Sequence, residues 1–216
     1  MKAKTVKVVI FAVLMFSERP HGYGQGTFIN LNFEHPVLPL IRDIEFKVPI
    51  TNALPGWAGY IGGNQVGQIV YNTFSLGAAA ISLQGPGSLD QAFQGSYFVF
   101  LQSSFPDGLV IPAIAQTGRV PPDTKSLRLF SSPGSSLQAV FAGQPVPLIQ
   151  IGADANYVIL GGDITAFAGK TGELRFTGAG FLDNIQFSDQ PIPEPSILAL
   201  FGVGALLLLC RFRRQD

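Results

Sequence analysis

Residues 126–130 read Ser-Leu-Arg-Leu-Phe, and residues 173–177 read Glu-Leu-Arg-Phe-Thr. Apolar and polar side chains alternate in both with a period of two. Leu127 and Leu129, and likewise Leu174 and Phe176, therefore fall on one face of an extended chain, with Arg128 and Arg175 on the other. Asn184-Ile185-Gln186-Phe187 repeats the pattern. A helix would scatter these side chains around its circumference, whereas a half-buried strand collects them. Outward from these segments, residues 26–188 keep one texture: short runs rich in Val, Ile, Phe, Tyr and Thr, divided by Gly, Pro, Asn and Ser. Strands are predicted at 27–33, 68–76, 79–83, 97–102, 113–117, 126–130, 137–141, 147–151, 156–160, 173–177 and 181–187. Residues 163–170, stopped by Gly169 and Gly172, form at most one or two helical turns. Gly85-Pro86-Gly87 and Pro121-Pro122-Asp123 are turns. The fold class is all-β, a sandwich or barrel, and the eighteen Phe fill a core between facing sheets.

Charge and cysteine content narrow the function. The formal net charge is zero, but residues 25–210 hold seven basic and twelve acidic side chains, which leaves them at −5. A nucleic-acid partner is disfavoured, because such a partner requires a basic surface. The single cysteine, Cys210, lies near the C-terminus, so residues 25–188 have no disulfide framework and no thiolate metal site. His35 is the one histidine after residue 24, and no G-x-S-x-G elbow occurs. Acid pairs for glycoside hydrolysis, such as Asp163 with Glu173 or Asp43 with Glu45, are not singled out by spacing. Gly59-Tyr60-Ile61-Gly62-Gly63-Asn64 lacks the Lys-Ser/Thr ending of a phosphate loop and reads as a turn. Trp57 and Tyr60 lie in a predicted loop. Two readings are open for them: core packing, or stacking on the apolar face of a sugar ring.

Both ends depart from this texture. Residues 1–24 read as a signal peptide, with Lys2, Lys4 and Lys7 ahead of the apolar run 8–16 and small residues at Gly22 and Gly24 before a cut at Gln25. The β-sandwich domain then occupies 25–188 and a Pro-rich spacer 189–195. Residues 196–210, SILALFGVGALLLLC, carry no charge and read as a transmembrane helix; a basic cytoplasmic tail, 211–216, stops it with Arg211, Arg213 and Arg214. Fifteen residues at about 1.5 Å each reach roughly 22 Å, short of a hydrocarbon core of about 30 Å. A marginal span suits a transient segment better than a permanent anchor.

Pro193-Glu194-Pro195, the apolar run and the Arg cluster together resemble the PEP-CTERM sorting signal of exported bacterial proteins. The resemblance implies an exosortase-type membrane enzyme as partner, with Pro193, Glu194 and Pro195 as the processing motif. It also implies a precursor tethered to the inner membrane, then a cell-surface or extracellular product. The body resembles galactose-binding-like jelly-roll modules through Asn30-Leu31-Asn32-Phe33-Glu34, through Ile114-Ala115-Gln116-Thr117 with Val120-Pro121 and Ser126-Leu127-Arg128-Leu129, and through Leu182-Asp183-Asn184-Ile185-Gln186-Phe187. That resemblance implies adjacent first and last strands. Glu34 and Asp183 then approach one another, either as solvated strand-end acids or as ligands of a structural Ca²⁺. No other cofactor is expected. The functional expectation is a cell-surface or extracellular-matrix protein without catalysis of its own. The alternatives are a carbohydrate-binding module, with extracellular polysaccharide as partner, and a glycoside-type hydrolase.

Overall fold

A computed structural model of the chain describes residues 23–24, 26–38, 46–107 and 109–192. In chain order the strands are β1 (Tyr23–Gly24), β2 (Lys47–Pro49), β3 (Ala58–Ile61), β4 (Asn64–Val66) and β5 (Gln68–Tyr71). Next come β6 (Ala80–Gln84), β7 (Phe98–Gln102), β8 (Pro112–Arg119), β9 (Ser126–Ser131) and β10 (Gln138–Phe141). The last are β11 (Gln144–Val146), β12 (Ile149–Ala153), β13 (Val158–Asp163), β14 (Thr171–Thr177) and β15 (Gly180–Ser188). They form two sheets. One has nine strands in the order β12-β13-β9-β15-β7-β6-β5-β2, with β1 beside the end of β15; the other has six, β11-β10-β14-β8-β3-β4. Helix is confined among the described residues to one turn at Ile50–Ala53 and a 3-10 turn at Thr165–Phe167. No helix among them is long and apolar enough to cross a membrane. Residues 1–22 of the expected signal peptide and the segments 196–210 and 211–216 lie outside the described residues.

The core lies between the sheets. Leu127 and Leu129 from β9, Val99 and Leu101 from β7, and Leu182 and Phe187 from β15 meet Ile114 from β8 and Leu174 and Phe176 from β14 in one buried cluster. The alternation in the sequence produces this directly: the neighbours Arg128, Glu173 and Arg175 keep partial contact with solvent. Not every Phe serves this core. Phe98 and Phe100 alternate with Val99 and Leu101, so they point to the other face of the nine-stranded sheet. There Phe93, Phe98 and Phe100 adjoin Phe181, and Tyr157 and then Phe130 extend the ring cluster from Phe93, with neighbouring centroids 4.5–6.1 Å apart. The expectation of one Phe-filled core is corrected accordingly: the rings occupy two layers, one on each face of this sheet.

Two further expectations change. Residues 27–33 form no strand. Asn30 and Phe33 adopt φ values of 50° and 59°, and the Gln116 side chain takes the place of a partner strand. Its Oε1 accepts from Ile29 N at 2.6 Å and its Nε2 donates to Ile29 O at 3.0 Å. The segment still lies beside the last strand, because Ile185 N donates to Leu31 O at 3.0 Å. Residues 59–64 are a hairpin rather than a plain turn. Gly62 and Gly63, at φ 57° and 85°, make a two-residue connection between β3 and β4, and the primed turn it needs favours positive φ at both positions. β5 and β6 pair in parallel, with Val70 opposite Ser82.

Candidate functional site

Glu34 and Asp183 both bind the loop 94–97, and the geometry starts from an irregularity in β15. Against β9, Asp183 faces Phe130 and Gln186 faces Arg128, so β15 spends one more residue than its partner over this step. Asn184, at φ 47°, takes up the extra residue. Such a bulge re-aims a side chain. Without it Leu182 and Ile185 could not both face the core, as they do. Asp183 is left fully buried. Its Oδ1 accepts from Asn184 N at 2.6 Å and its Oδ2 from Gln94 N at 2.8 Å. Glu34 Oε1 accepts from Ser96 N at 2.9 Å and from Tyr97 N at 2.8 Å. The two acids thus grip opposite ends of one short loop, whose Gly95 (φ 68°) lies so near the Glu34 carboxylate that a Cβ there would come within 2.4 Å of it.

Burial pushes the Asp183 carboxyl up to about 7; its amide hydrogen bonds oppose the rise and the nearby Glu34 charge adds to it. Among the described residues no three His, Cys, Asp or Glu side chains form a group able to hold a metal ion, so Glu34 and Asp183 stand as a pair. The bonded oxygens of both already receive amide N–H groups, while Glu34 Oε2 accepts none of those bonds.

Trp57 and Tyr60 separate. Trp57 is 4 % exposed, tilted against Phe33 and Phe176 at 5.8 and 6.3 Å between centroids, with Nε1 donating to Asn30 O at 3.2 Å. Of the two readings open for Trp57, this packing favours the core, and the residue also lines the cavity beside Tyr60. Tyr60 lies on the outer surface of the six-stranded sheet. It stands opposite Ala113 on β8, while Arg175 stands opposite Ala115. Because both alanines are short, the Arg175 guanidinium crosses β8 and lies 4.1 Å above the Tyr60 ring. Arg175 Nε also donates to Glu173 Oε1 at 2.8 Å. Tyr60 and Glu173 line a cavity of about 420 Å³ together with Thr51, Pro55, Trp57 and Thr117. Asp163 and Glu173, named above as an acid pair, belong to different sheets. Thr165 holds Asp163 below the usual carboxylate range through its hydroxyl and its amide. Asp43 and Glu45 lie outside the described residues.

At the C-terminal end the chain stays on the domain beyond Ser188. Ser126 Oγ donates to Gln190 O at 2.6 Å. Arg128 Nη2 donates to Gln190 O at 3.4 Å and to Pro191 O at 3.3 Å, and its Nε to Ser126 Oγ at 3.0 Å. Ile192 seats over Gly161 beside Ile151, in space that a Cβ at Gly161 would fill, 2.6 Å from Ile192 Cδ1. Residues 189–192 of the expected spacer, 189–195, thus lie against the domain, and 193–195 lie outside the described residues. From Pro191 onward the sequence matches a family model, the PEP-CTERM protein-sorting motif, over residues 191–214. The chain carries a sorting signal. It indicates an exported protein that an exosortase, a membrane processing enzyme, recognises. Pro193, Glu194, Pro195, Arg211, Arg213 and Arg214 all fall within the match and lie outside the described residues.

No curated protein matches the chain. Among solved structures, a Stig cyclase from Fischerella sp. TAU in complex with an indole compound is similar at 16% identity and a TM-score of 0.49, covering 81% of this chain and 100% of that one. An apo cyclase from Fischerella sp. is similar at 15% identity and a TM-score of 0.47, covering 81% and 98%.

Proposed function

We propose that the chain is an exported, exosortase-sorted protein whose jelly-roll-like sandwich ends at the cell surface or in the extracellular matrix, with no catalytic activity of its own. The match to the sorting motif over 191–214 carries this reading. Residues 1–24 direct export, the apolar run 196–210 holds the precursor in the inner membrane, and Arg211, Arg213 and Arg214 keep its end inside. Pro193 and Pro195 hold the processing site extended, and Glu194 supplies its charge. Mass spectrometry of the surface form tests this. A mature protein lacking the residues after Pro195 is expected; one still ending in Arg211-Phe212-Arg213-Arg214-Gln215-Asp216 overturns processing.

Carbohydrate binding is the second reading, and the cavity lined by Tyr60 and Glu173 favours it. The cavity wall combines an aromatic ring with donors and acceptors suited to sugar hydroxyls. A glycan array with the purified protein is expected to give saturable binding that Tyr60→Ala abolishes; an array without any signal overturns this reading.

A structural Ca²⁺ at the Glu34–Asp183 corner is the cofactor this fold reading implies. Glu34 Oε2 is its best available ligand atom, and backbone carbonyls and water would complete the six to eight oxygens required. A thermal midpoint that rises with Ca²⁺ and falls with chelator supports the ion, and an unchanged midpoint overturns it.

A further inference from the structure

The strap formed by Gln190, Pro191 and Ile192 fixes where the domain stands relative to the membrane. Only Pro193, Glu194 and Pro195 separate Ile192 from Ser196, the first residue of the apolar run. Four residue steps reach at most about 14 Å even when fully extended. The two ends of the sandwich are farther apart than that. β15 runs from Gly180, opposite Leu101, to Ser188, opposite Ser126. Its nine residues cover about 26 Å. The surface within reach of Ser196 is therefore the Ser188 end and the neighbouring edge at Gly161 and Ile151.

That end is built from two loops bound to each other and to β15. Lys125 N donates to Ser188 O at 2.8 Å, Ile164 N to Lys125 O at 3.1 Å, and Val120 N to Lys170 O at 2.9 Å. These loops and the strand ends beside them carry Arg119, Lys125, Arg128 and Lys170, which are four of the six basic residues among those described. Their acids are Asp123, Asp163 and Asp189, so the end is formally +1. The remaining described residues hold Lys47 and Arg175 against Glu34, Asp90, Asp107, Asp154, Glu173 and Asp183, formally −4. The opposite end is apolar instead: Leu76, Phe105 and Leu109 stand out on loops joined by the bond from Phe105 N to Gly77 O. An apolar tip invites a membrane contact, but the three-residue connection cannot bring it to the bilayer that Ser196 enters.

We propose that in the membrane-held precursor the basic Ser188 end of the sandwich lies on the bilayer surface, oriented by the grip of Arg128 on Gln190 and Pro191 and by the seat of Ile192 on Gly161. The occupant of this surface is an anionic lipid bilayer, and the proposal rests on the sorting reading above. Basic side chains at such a surface are drawn to anionic headgroups, an attraction that salt weakens.

Energy transfer to the membrane tests it. The full-length precursor carrying Cys210→Ser is labelled at Asp123→Cys, on the basic end, or at Leu76→Cys, on the apolar end. Each is reconstituted into vesicles of phosphatidylethanolamine and phosphatidylglycerol containing a headgroup acceptor. Lys170→Cys and Leu109→Cys repeat the comparison if either first variant misfolds. Transfer several-fold stronger from the basic end is expected, with Arg128→Ala bringing the two labels together. Equal or reversed transfer in a vesicle-bound precursor overturns this orientation and leaves the sorting reading standing. A difference that persists in Arg128→Ala overturns the role given to the strap. A precursor that does not float with the vesicles overturns both readings.

Discussion

Asp183 Oδ2 accepts the amide of Gln94 at 2.8 Å, and Glu34 Oε1 accepts the amide of Tyr97 at the same distance. Two acids from opposite ends of the described chain thereby hold one loop between them. Asp183 does so fully buried and beside a like charge, which is why its carboxyl is pushed up to about 7 from an ordinary 3.8. Below about pH 4 the folded and unfolded carboxyls are both protonated, and the contribution of Asp183 to stability is fully present. As pH rises toward 7 the unfolded chain gives up its proton and the folded one keeps it, so stability falls. Above 7 both are ionised and the loss is complete. At about 1.4 kcal/mol per pH unit the loss approaches about 4 kcal/mol across this window. Denaturant titrations at a series of pH values should show this decline, and Asp183→Asn should flatten it. A wild-type profile without a fall between pH 4 and 7 would count against a buried, shifted Asp183.

Glu34→Ala removes the acceptor of two amides, Ser96 N and Tyr97 N. A cost of about 1–3 kcal/mol is expected. Hydrogen exchange should localise the loosening to residues 93–97, while the Phe176 and Leu174 amides of β14 stay protected. Uniform loss of protection across both sheets would show that Glu34 supports the whole fold and not the loop.

Trp57→Ala should cost about 3–5 kcal/mol, because it opens a cavity between Phe33 and Phe176 and frees Asn30 O from the indole N–H. Tyr60→Ala, on the outer surface, should cost about 1 kcal/mol or less, the scale of a single cation–π contact. Chemical denaturation of both variants makes the comparison. Equal losses would contradict the placement of the two rings.

Gln116→Leu keeps the size of the side chain and removes both bonds to Ile29, leaving a half-satisfied backbone at residues 27–33. A destabilisation of about 2 kcal/mol is expected, with proteolysis beginning between Thr27 and Glu34. Wild-type resistance in this variant would mean that the buried rings of Phe28 and Phe33 hold the segment unaided.

The sequence by itself determined the fold class and the address. A period of two over Ser126–Ser131 and Thr171–Thr177 is a local property, and burying one face of such a strand requires a second sheet. The order of Pro193-Glu194-Pro195, an uncharged run and three arginines is likewise readable without folding. Tertiary structure decided the rest. Trp57 is a core residue because Phe33 and Phe176 arrive from distant parts of the chain, and no local pattern separates it from Tyr60. The Gly62-Gly63 pair was the available signal for the β3–β4 hairpin, and its pairing with β8 is what makes it part of a sheet. Residues 27–33 alternate well enough to read as a strand, yet a single glutamine amide replaces their ladder. The pKa of Asp183 depends on its burial, on the loop at Gln94 and on Glu34, partners far from it in sequence. The strap at Gln190–Ile192 depends on Arg128, a residue whose local role was only to point outward. Periodicity records which face a residue takes; partners at long sequence separation decide what that face meets.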